Sequence, residues 1–429
     1  MKSIIQILIF LFIILKINAA ENLSFYLDRA LKNNLQLNAE RKNFETVKQN
    51  KNISRSEFLP SITISGDQTS STSSNRINQS GENLSDTNLD TESKTISLEQ
   101  KIFSGFKGLN TFKKSDLETQ KANLELKEKE QKTILDTAFA YYDLIYKTKN
   151  EKFNISNVNL FERQVEYDNA RAQKGEVTLT DLAQSESSLA GANASLIKAK
   201  TQLSSSISNF ERVTSEKAPN VENLNGKVIL ELPNSLNNAQ EISNLNNISL
   251  LISKLNYEIS IKELNIERSR LSPSASIKVS KTENNDFSST IDEKDEEKVK
   301  ATITWPIIKG GENISSIKKS TFNKQRYQLL LQDTKNKISI DTSNSWSNYQ
   351  SSKSVLEATS AQLKAAEIAN EGITLEYDSG NTRTTLEVIQ SRSLLFEARI
   401  AFAKAQRDFM ISQFELAKQI GTLSKNSIK

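Results

Sequence analysis

Cysteine and histidine are both missing from this chain of 429 residues. Their absence removes disulfides, thiol nucleophiles, His-containing catalytic triads and the usual zinc sites together. Carboxylate or lysine chemistry is all that remains open to an enzyme. No nucleophile, metal or phosphate motif accompanies it, so neither enzymatic activity nor a metal or cofactor is expected. Proline is almost as scarce, with five, at 60, 219, 233, 273 and 306. Residues 61–218 and 307–429 contain none over 158 and 123 positions. Proline costs about 3 kcal/mol inside a helix, so stretches of this kind suit continuous helix. Glycines number 12 and apolar residues make up 36%, which even together fall below the ~45–50% of compact domains. A thin core and an elongated chain are expected. Charge of one sign is lacking too: 56 basic against 52 acidic residues give +4, too little and too evenly spread for nucleic acid.

Long apolar runs are absent beyond residue 20. Lys2 precedes an apolar run over 4–15, broken only by Gln6, and Ala19 and Ala20 follow. Basic start, short apolar core and small residues at its end read as a secretory signal peptide over residues 1–20. The run falls short of the ~20 residues a spanning helix needs. With no cysteine behind it, a lipoprotein anchor is excluded. If the exported chain enters a membrane, it does so by strands.

What is present is a duplication. Asn33-Asn34-Leu35-Gln36-Leu37 recurs as Asn246-Asn247-Ile248-Ser249-Leu250, and Leu59-Pro60-Ser61 as Ser272-Pro273-Ser274, both at a lag of 213 residues. The lag then drops to 205, matching Ile102-Phe103-Ser104-Gly105 with Ile307-Ile308-Lys309-Gly310, Asp136 with Asp341, Tyr141 with Trp346 and Gly175 with Gly380. It becomes 206 for Asp181 against Glu387, Gln184-Ser185 against Gln390-Ser391 and Lys198-Ala199 against Lys404-Ala405. Two related halves are expected, 21–216 and 234–424. A linker over 217–233 with Pro219, Gly226 and Pro233 joins them, and a short tail over 425–429 follows.

Each half reads in the same order. A helical stretch, 22–57 or 234–270, ends before a proline. Strict alternation follows at Ile62 and Ile64, Ile96 and Leu98, Ala275, Ile277 and Val279, and Val299, Ala301, Ile303 and Trp305. Four strands in two hairpins are expected, at about 59–103 and 272–308. The polar stretches 68–92 and 281–297 read as their solvated loops, where an eight-residue length difference between halves is tolerated. Long helices over 106–174 and 311–379, about 100 Å each at 1.5 Å per residue, break at Gly175 and Gly380. Each returns as a helix whose alanines, such as Ala192, Ala199, Ala398 and Ala405, allow close packing. Gly105, Gly310 and Gly311 are placed to turn strand into helix. Phe139, Tyr141, Tyr142 and Tyr146 read as packing, and Phe58, Phe103 and Trp305 as an interfacial girdle.

Four strands are half the smallest closed membrane barrel, so several chains must share one. A soluble antiparallel sheet packed on helices is the plain alternative, though helices of this length overrun so small a sheet. The chain resembles the TolC-type outer-membrane efflux proteins, the outer membrane factor family. The resemblance rests on Leu59-Pro60-Ser61, Phe103-Ser104-Gly105, Ile308-Lys309-Gly310-Gly311, Tyr377-Asp378-Ser379-Gly380 with Thr382-Arg383-Thr384, and Ile420-Gly421-Thr422-Leu423. It implies a mainly α fold carrying a membrane β-barrel: a homotrimer with a 12-stranded barrel and a long α-helical coiled-coil barrel. It implies an exit duct of tripartite efflux or type I secretion, in outer-membrane lipid with the tunnel in the periplasm. The implied partners are a periplasmic adaptor (membrane fusion protein) and an inner-membrane transporter of RND or ABC type. A periplasmic adaptor or a structural coiled-coil protein are the competing readings; adaptors usually carry one helical hairpin in a glycine-rich β domain, and this chain has two hairpins and no such domain.

The resemblance also assigns residues. The tips at Gly175 and Gly380, with Arg171, would dock the adaptor. Tyr377, Arg383 and Asp181 match positions by which the family holds its tunnel closed, from a Tyr and an Arg on one helix to an Asp on a neighbouring pair. Glu387 and Gln390 match an acidic constriction, with Gln390 standing where a second acid is common. The extra residue at Asn381 changes the spacing before Arg383.

Overall fold

The computed structural model describes residues 22–219, 224, 228–288, 290–379 and 383–428. The leader, Gly226, Gly380, Asn381 and Thr382 lie outside the described residues. In chain order the elements are α1 (Leu23–Asn33), α2 (Leu35–Arg55), β1 (Ser61–Ser73), β2 (Arg76–Ile77), β3 (Asn83–Leu84), β4 (Thr87–Ser104), α3 (Lys107–Gln173) and α4 (Leu179–Thr214). The second half repeats them as α5 (Leu236–Asn246), α6 (Ile248–Ser269), β5 (Ser274–Ser288), β6 (Ile291–Thr304), α7 (Glu312–Asp378) and α8 (Thr385–Gln419). Helices α3 and α7 are 67 residues each. Among the described residues no helix is long and apolar enough to cross a membrane.

Two compact units emerge, and neither is a repeat: one takes in residues up to 41, 125–251 and 333–429, the other 42–124 and 252–332. Each therefore combines both halves of the duplication.

The helical unit is built around aromatic packing. Tyr26, Tyr141, Tyr142, Phe210 and Phe414 are all buried, and the rings of Tyr26 and Phe210 meet edge to face at 4.9 Å. Phe139 departs from the packing expected of it, at 44% exposure. Val228, Leu230 and Leu232 pack on this core, and Leu230 bridges to Ile428, so the end of the linker and the tail are held against it. Beside the core, Arg407 pairs with Asp143 at 2.8 Å under the Tyr146 ring.

The stretches expected as single helices are broken at Asn34 and Asn247. Both leave the helical region, with φ/ψ of −62°/117° and −60°/120°. The side-chain oxygen of Asn34 accepts from the Leu37 amide at 3.0 Å, and that of Asn247 from the Leu250 amide at 3.1 Å. One asparagine thus ends a helix and caps the next, which is the physical content of the recurring Asn-Asn motif. Asn247 does more, because its amide also donates to the Gln419 carbonyl at 2.8 Å.

In the other unit the sheet order is β1-β4-β5-β6, antiparallel throughout. The strands are longer than the alternation suggests: residues 68–92 and 281–297, expected as loops, mostly continue the ladders up to Ser73↔Thr87 and Ser288↔Ile291. Past the apolar rows both faces carry polar side chains, so alternation disappears while backbone pairing goes on. Gly105 joins β4 to α3 at φ +62°, where a Cβ would stand 2.5 Å from that of Ser272. No residue but glycine fits there.

Asn247→Ala should lower the thermal unfolding midpoint of the purified protein further than Asn34→Ala. The first removes a cap and a buried bond, about 2 kcal/mol together, and the second a cap of about 1 kcal/mol. Equal midpoints would refute the double role of Asn247.

Candidate functional site at the helix tips

Four helix ends of the helical unit carry the residues the sequence singles out. Thr178 caps α4, accepting from the Asp181 amide at 3.2 Å, while Asp181 Oδ2 accepts from the Thr178 amide at 3.0 Å and its hydroxyl at 2.7 Å. Thr384 caps α8 in the same way: Glu387 Oε2 accepts from its amide at 2.8 Å and its hydroxyl at 3.1 Å. Such reciprocal boxes satisfy amides the first turn leaves without partners. The Thr178 hydroxyl and amide hold the Asp181 carboxyl below its ordinary range. The Thr384 amide, with Arg383, does the same for Glu387.

Each turn is also spanned by an ion pair, with the signs exchanged. Arg171, in the last turn of α3, meets Glu176 at 3.2 Å. Glu376, at the matching place in α7, meets Arg383 at 2.6 Å, and Arg383 extends to Glu387 at 3.0 Å. Gly175 turns the first tip at φ +75° with open space around it.

Between the helix pairs lies a buried polar network. Asp168 is fully buried and accepts from both Gln164 Nε2 (3.0 Å) and Tyr377 (3.1 Å), and from Ser185 at 2.5 Å. The Tyr377 hydroxyl accepts from Arg171 Nη1 at 2.9 Å and lies 3.1 Å from the Thr385 hydroxyl. Gln164 Oε1 accepts from Arg392 at 2.9 Å. Burial raises the Tyr377 phenol, so it stays protonated as a donor, and lowers the Arg392 guanidinium. Arg171 stacks over the Tyr167 and Tyr377 rings, each centroid 5.4 Å away. A buried carboxylate with three donors around it holds only while those donors stay in place.

The expected site residues are thus distributed in three groups. Tyr377 and Arg171 meet in the buried network; Arg383 and Glu387 meet on the surface; Asp181 stands apart in its own capping box. Within one chain Tyr377 bonds Asp168, and Arg383 bonds Glu376 and Glu387. Gln390 is exposed one turn beyond Glu387, and both line a groove of about 430 Å³ with Ala365, Ala369 and Leu394. Gly380 lies outside the described residues. Sequence reasoning passed over Gln164, Asp168, Ser185, Thr385 and Arg392. A signal existed: Phe161, Gln164, Asp168 and Arg171 step by three and four along one face of α3, so the apolar stripe continues as polar residues.

The family described as Outer membrane efflux protein matches residues 26–214 and 243–422. The outer membrane efflux protein BepC of Brucella suis is 22% identical over 95% of this chain and 87% of its own. The outer membrane protein TolC of Escherichia coli K12 is 21% identical over 100% and 88%. Among solved structures, the Campylobacter jejuni CmeC outer membrane channel superposes with a TM-score of 0.81 at 17% identity, covering 94% of this chain and 86% of that one. VceC of Vibrio cholerae gives 0.78 at 15% identity, covering 93% and 96%. With both halves of the duplication and both helical tips inside the match, the chain belongs to the outer membrane efflux protein family, and it serves as an outer-membrane exit duct.

Proposed function

We propose that three copies of this chain share one 12-stranded barrel, continued into the periplasm by a helical tunnel that receives substrate from a periplasmic adaptor and an inner-membrane transporter. One observation carries the reading. Within the chain β1 and β6 form the two edges of the four-stranded sheet, and their apolar side chains are exposed, Ile64 at 78% and Ile303 at 79%. Unpaired edges beside hydrocarbon are not tolerated, whereas β6 of one chain against β1 of the next closes the sheet. Type I secretion and drug efflux use the same duct, and the choice between them rests with the transporter.

At the tips, Asp181, Tyr377 and Arg383 form the periplasmic gate, Glu387 and Gln390 border the constriction, and the turns at Arg171, Gly175 and Gly380 meet the adaptor. Support comes from the position of the Tyr377 network between the two helical pairs, which must separate if the tips are to dilate. Support also comes from Arg383, which is exposed, and Asp181, which is half-buried: both make only local bonds within the chain, which bonds across a subunit boundary could supplement or replace.

Native mass in detergent should be three times that of one mature chain. A monodisperse monomer forming channels would end the reading. An epitope at Gly81, in the turn between β2 and β3, should bind antibody on intact cells, and one at Gly175 should not.

Tyr377→Phe and Asp168→Asn, each breaking a buried bond worth about 1–3 kcal/mol, should raise open probability in planar bilayers. They should do so more than Arg383→Ala, whose exposed pairs are worth about 0–1 kcal/mol, or Asp181→Ala, which opens one capping box of about 1 kcal/mol. Wild-type gating in all four variants would overturn the assignment.

Selectivity has its own sign. Arg383→Ala frees Glu387 and should increase cation preference, measured as reversal potential in a KCl gradient, while Glu387→Ala should reduce it. Because the Glu387 carboxyl is held low, the wild-type preference should persist near pH ~4.3, where an unperturbed glutamate is half protonated, and fade below it. Loss of preference well above that pH would refute the role of Glu387.

A further inference from the structure

The strand register sorts every side chain of the sheet onto one of two faces. Ile62, Leu98, Val279 and Val299 lie in one row across β1, β4, β5 and β6, with Ile277 beside Ala301 and Ala275 beside Ile303 in line with it. That face meets lipid. The opposite face carries Ser97 and Asn284, the most buried residues of the strands, so the sheet curls toward it.

On the curled face two neighbouring rows are Ser61/Glu99/Lys278/Lys300 and Thr63/Ser97/Ser280/Lys298. Three lysines stand there against one glutamate. Lys278 and Lys300 are direct cross-strand partners, and like charges so placed destabilise a sheet. Lys298 reaches Glu296 at 2.5 Å, but Glu296 is shared with Lys294 at 3.2 Å. Glu296 stands in the next row, and the row beyond it, Asp67/Ser93/Asn284/Lys294, carries one charge of each sign, so the excess of positive charge is confined to the two lysine rows.

The duplication shows that this is not a requirement of the fold. At lags of 213 and 205 residues, Lys278 and Lys300 correspond to Ser65 and Thr95, which are themselves cross-strand partners in the first hairpin. Lys298 corresponds to Ser93. Neutral hydroxyls fill the same places in one hairpin, and three lysines fill them in the other.

We propose that Lys278, Lys298 and Lys300 make an anion-binding zone inside the barrel, one that takes polyvalent anions bearing phosphate or carboxylate groups on their way out. The inference rests on the shared barrel proposed above, whose threefold symmetry turns the cluster into a ring. Neighbouring strands are about 4.8 Å apart, well within the ~8 Å Debye length at physiological salt, so the lysines act on a passing ion together. Rings of charged side chains in a pore select by sign in this manner.

The test is block of single channels by tripolyphosphate in planar bilayers, using the full chain. Wild-type channels should be blocked at low salt and released at high salt. Exchanging all three lysines for Gln should raise the half-blocking concentration at least tenfold, exchanging them for Arg should leave it near wild type, and Lys278→Gln alone should shift it part of the way. Absence of block in the wild type, or equal block in the Gln variant, overturns the lysine zone while discrete trimeric channels leave the barrel standing. A chain that forms no channels and no trimer overturns both.

Discussion

Backbone amides in hydrocarbon find no water, so each must be paired with another strand. In this chain β4 satisfies both of its sides, on β1 and on β5, and so does β5 on β4 and β6. The hairpins from the two repeats are therefore zipped together along β4 and β5, and the remaining demand passes to the outer sides of β1 and β6. That demand explains a sequence with little apolar content and a thin core. The single-layer sheet has no second sheet to pack against, and half of each strand is free to be polar. The same requirement fixes the register, since a slip of one residue would turn Leu98 and Val279 inward and Lys278 outward.

At the helix tips the controlling factor is the cost of burying charge. Asp168 is fully enclosed, yet it has donors from Gln164, Ser185 and Tyr377. Hydrogen-bonded in full, such a group holds two helix pairs in one arrangement; with a donor withdrawn, it becomes a strong reason to rehydrate. Apolar packing close by is modest, consisting of Val158, Phe161, Ala192 and Ile389 with Leu189 and Leu196 against them. Separation of the pairs thus exposes little hydrophobic surface, and its cost is set mainly by polar contacts that water can replace. The gate proposed for these tips needs that balance.

Much of this was legible in the sequence, and the exceptions have physical causes. Proline-free stretches and 3.6-residue periodicity revealed the long helices, and alternation at Ile62, Ile64, Ile96 and Leu98 revealed strands. Strand length was hidden, because residues such as Asp90, Glu92, Lys94 and Glu293 sit in ladders that are polar on both faces and read as loop. The helix breaks at Asn34 and Asn247 were visible as a repeated motif, but a periodic pattern does not register a one-residue interruption that leaves the apolar face in phase. Asp168 and Gln164 were hidden for another reason. Buried polar groups are recognised by their partners, and Tyr377 and Arg392 lie more than 200 residues away.

Comparison of the two halves separates the demands of the backbone from those of recognition. Positions that serve a helix end are kept in both: Thr178 and Thr384, Asp181 and Glu387, Asn34 and Asn247. These answer local needs that arise twice. Most positions in the buried network are not kept, Ser185 recurring as Ser391 being the exception. At the same lags Asp168 corresponds to Ile373, Gln164 to Ala369, Tyr377 to Ala172, Thr385 to Leu179 and Arg392 to Glu186. The first half supplies the Asp168 carboxylate and the Gln164 amide, and the second half supplies the Tyr377 phenol for the one and the Arg392 guanidinium for the other, so the pairing works in one direction only. The strands show the same division, with hydroxyls paired at Ser65 and Thr95 in the first hairpin and lysines paired at Lys278 and Lys300 in the equivalent places of the second. A duplicated chain whose halves remained alike would bond to itself in two registers with nearly equal energy. Divergence at these positions, and retention at the caps, removes that ambiguity while leaving every helix end satisfied.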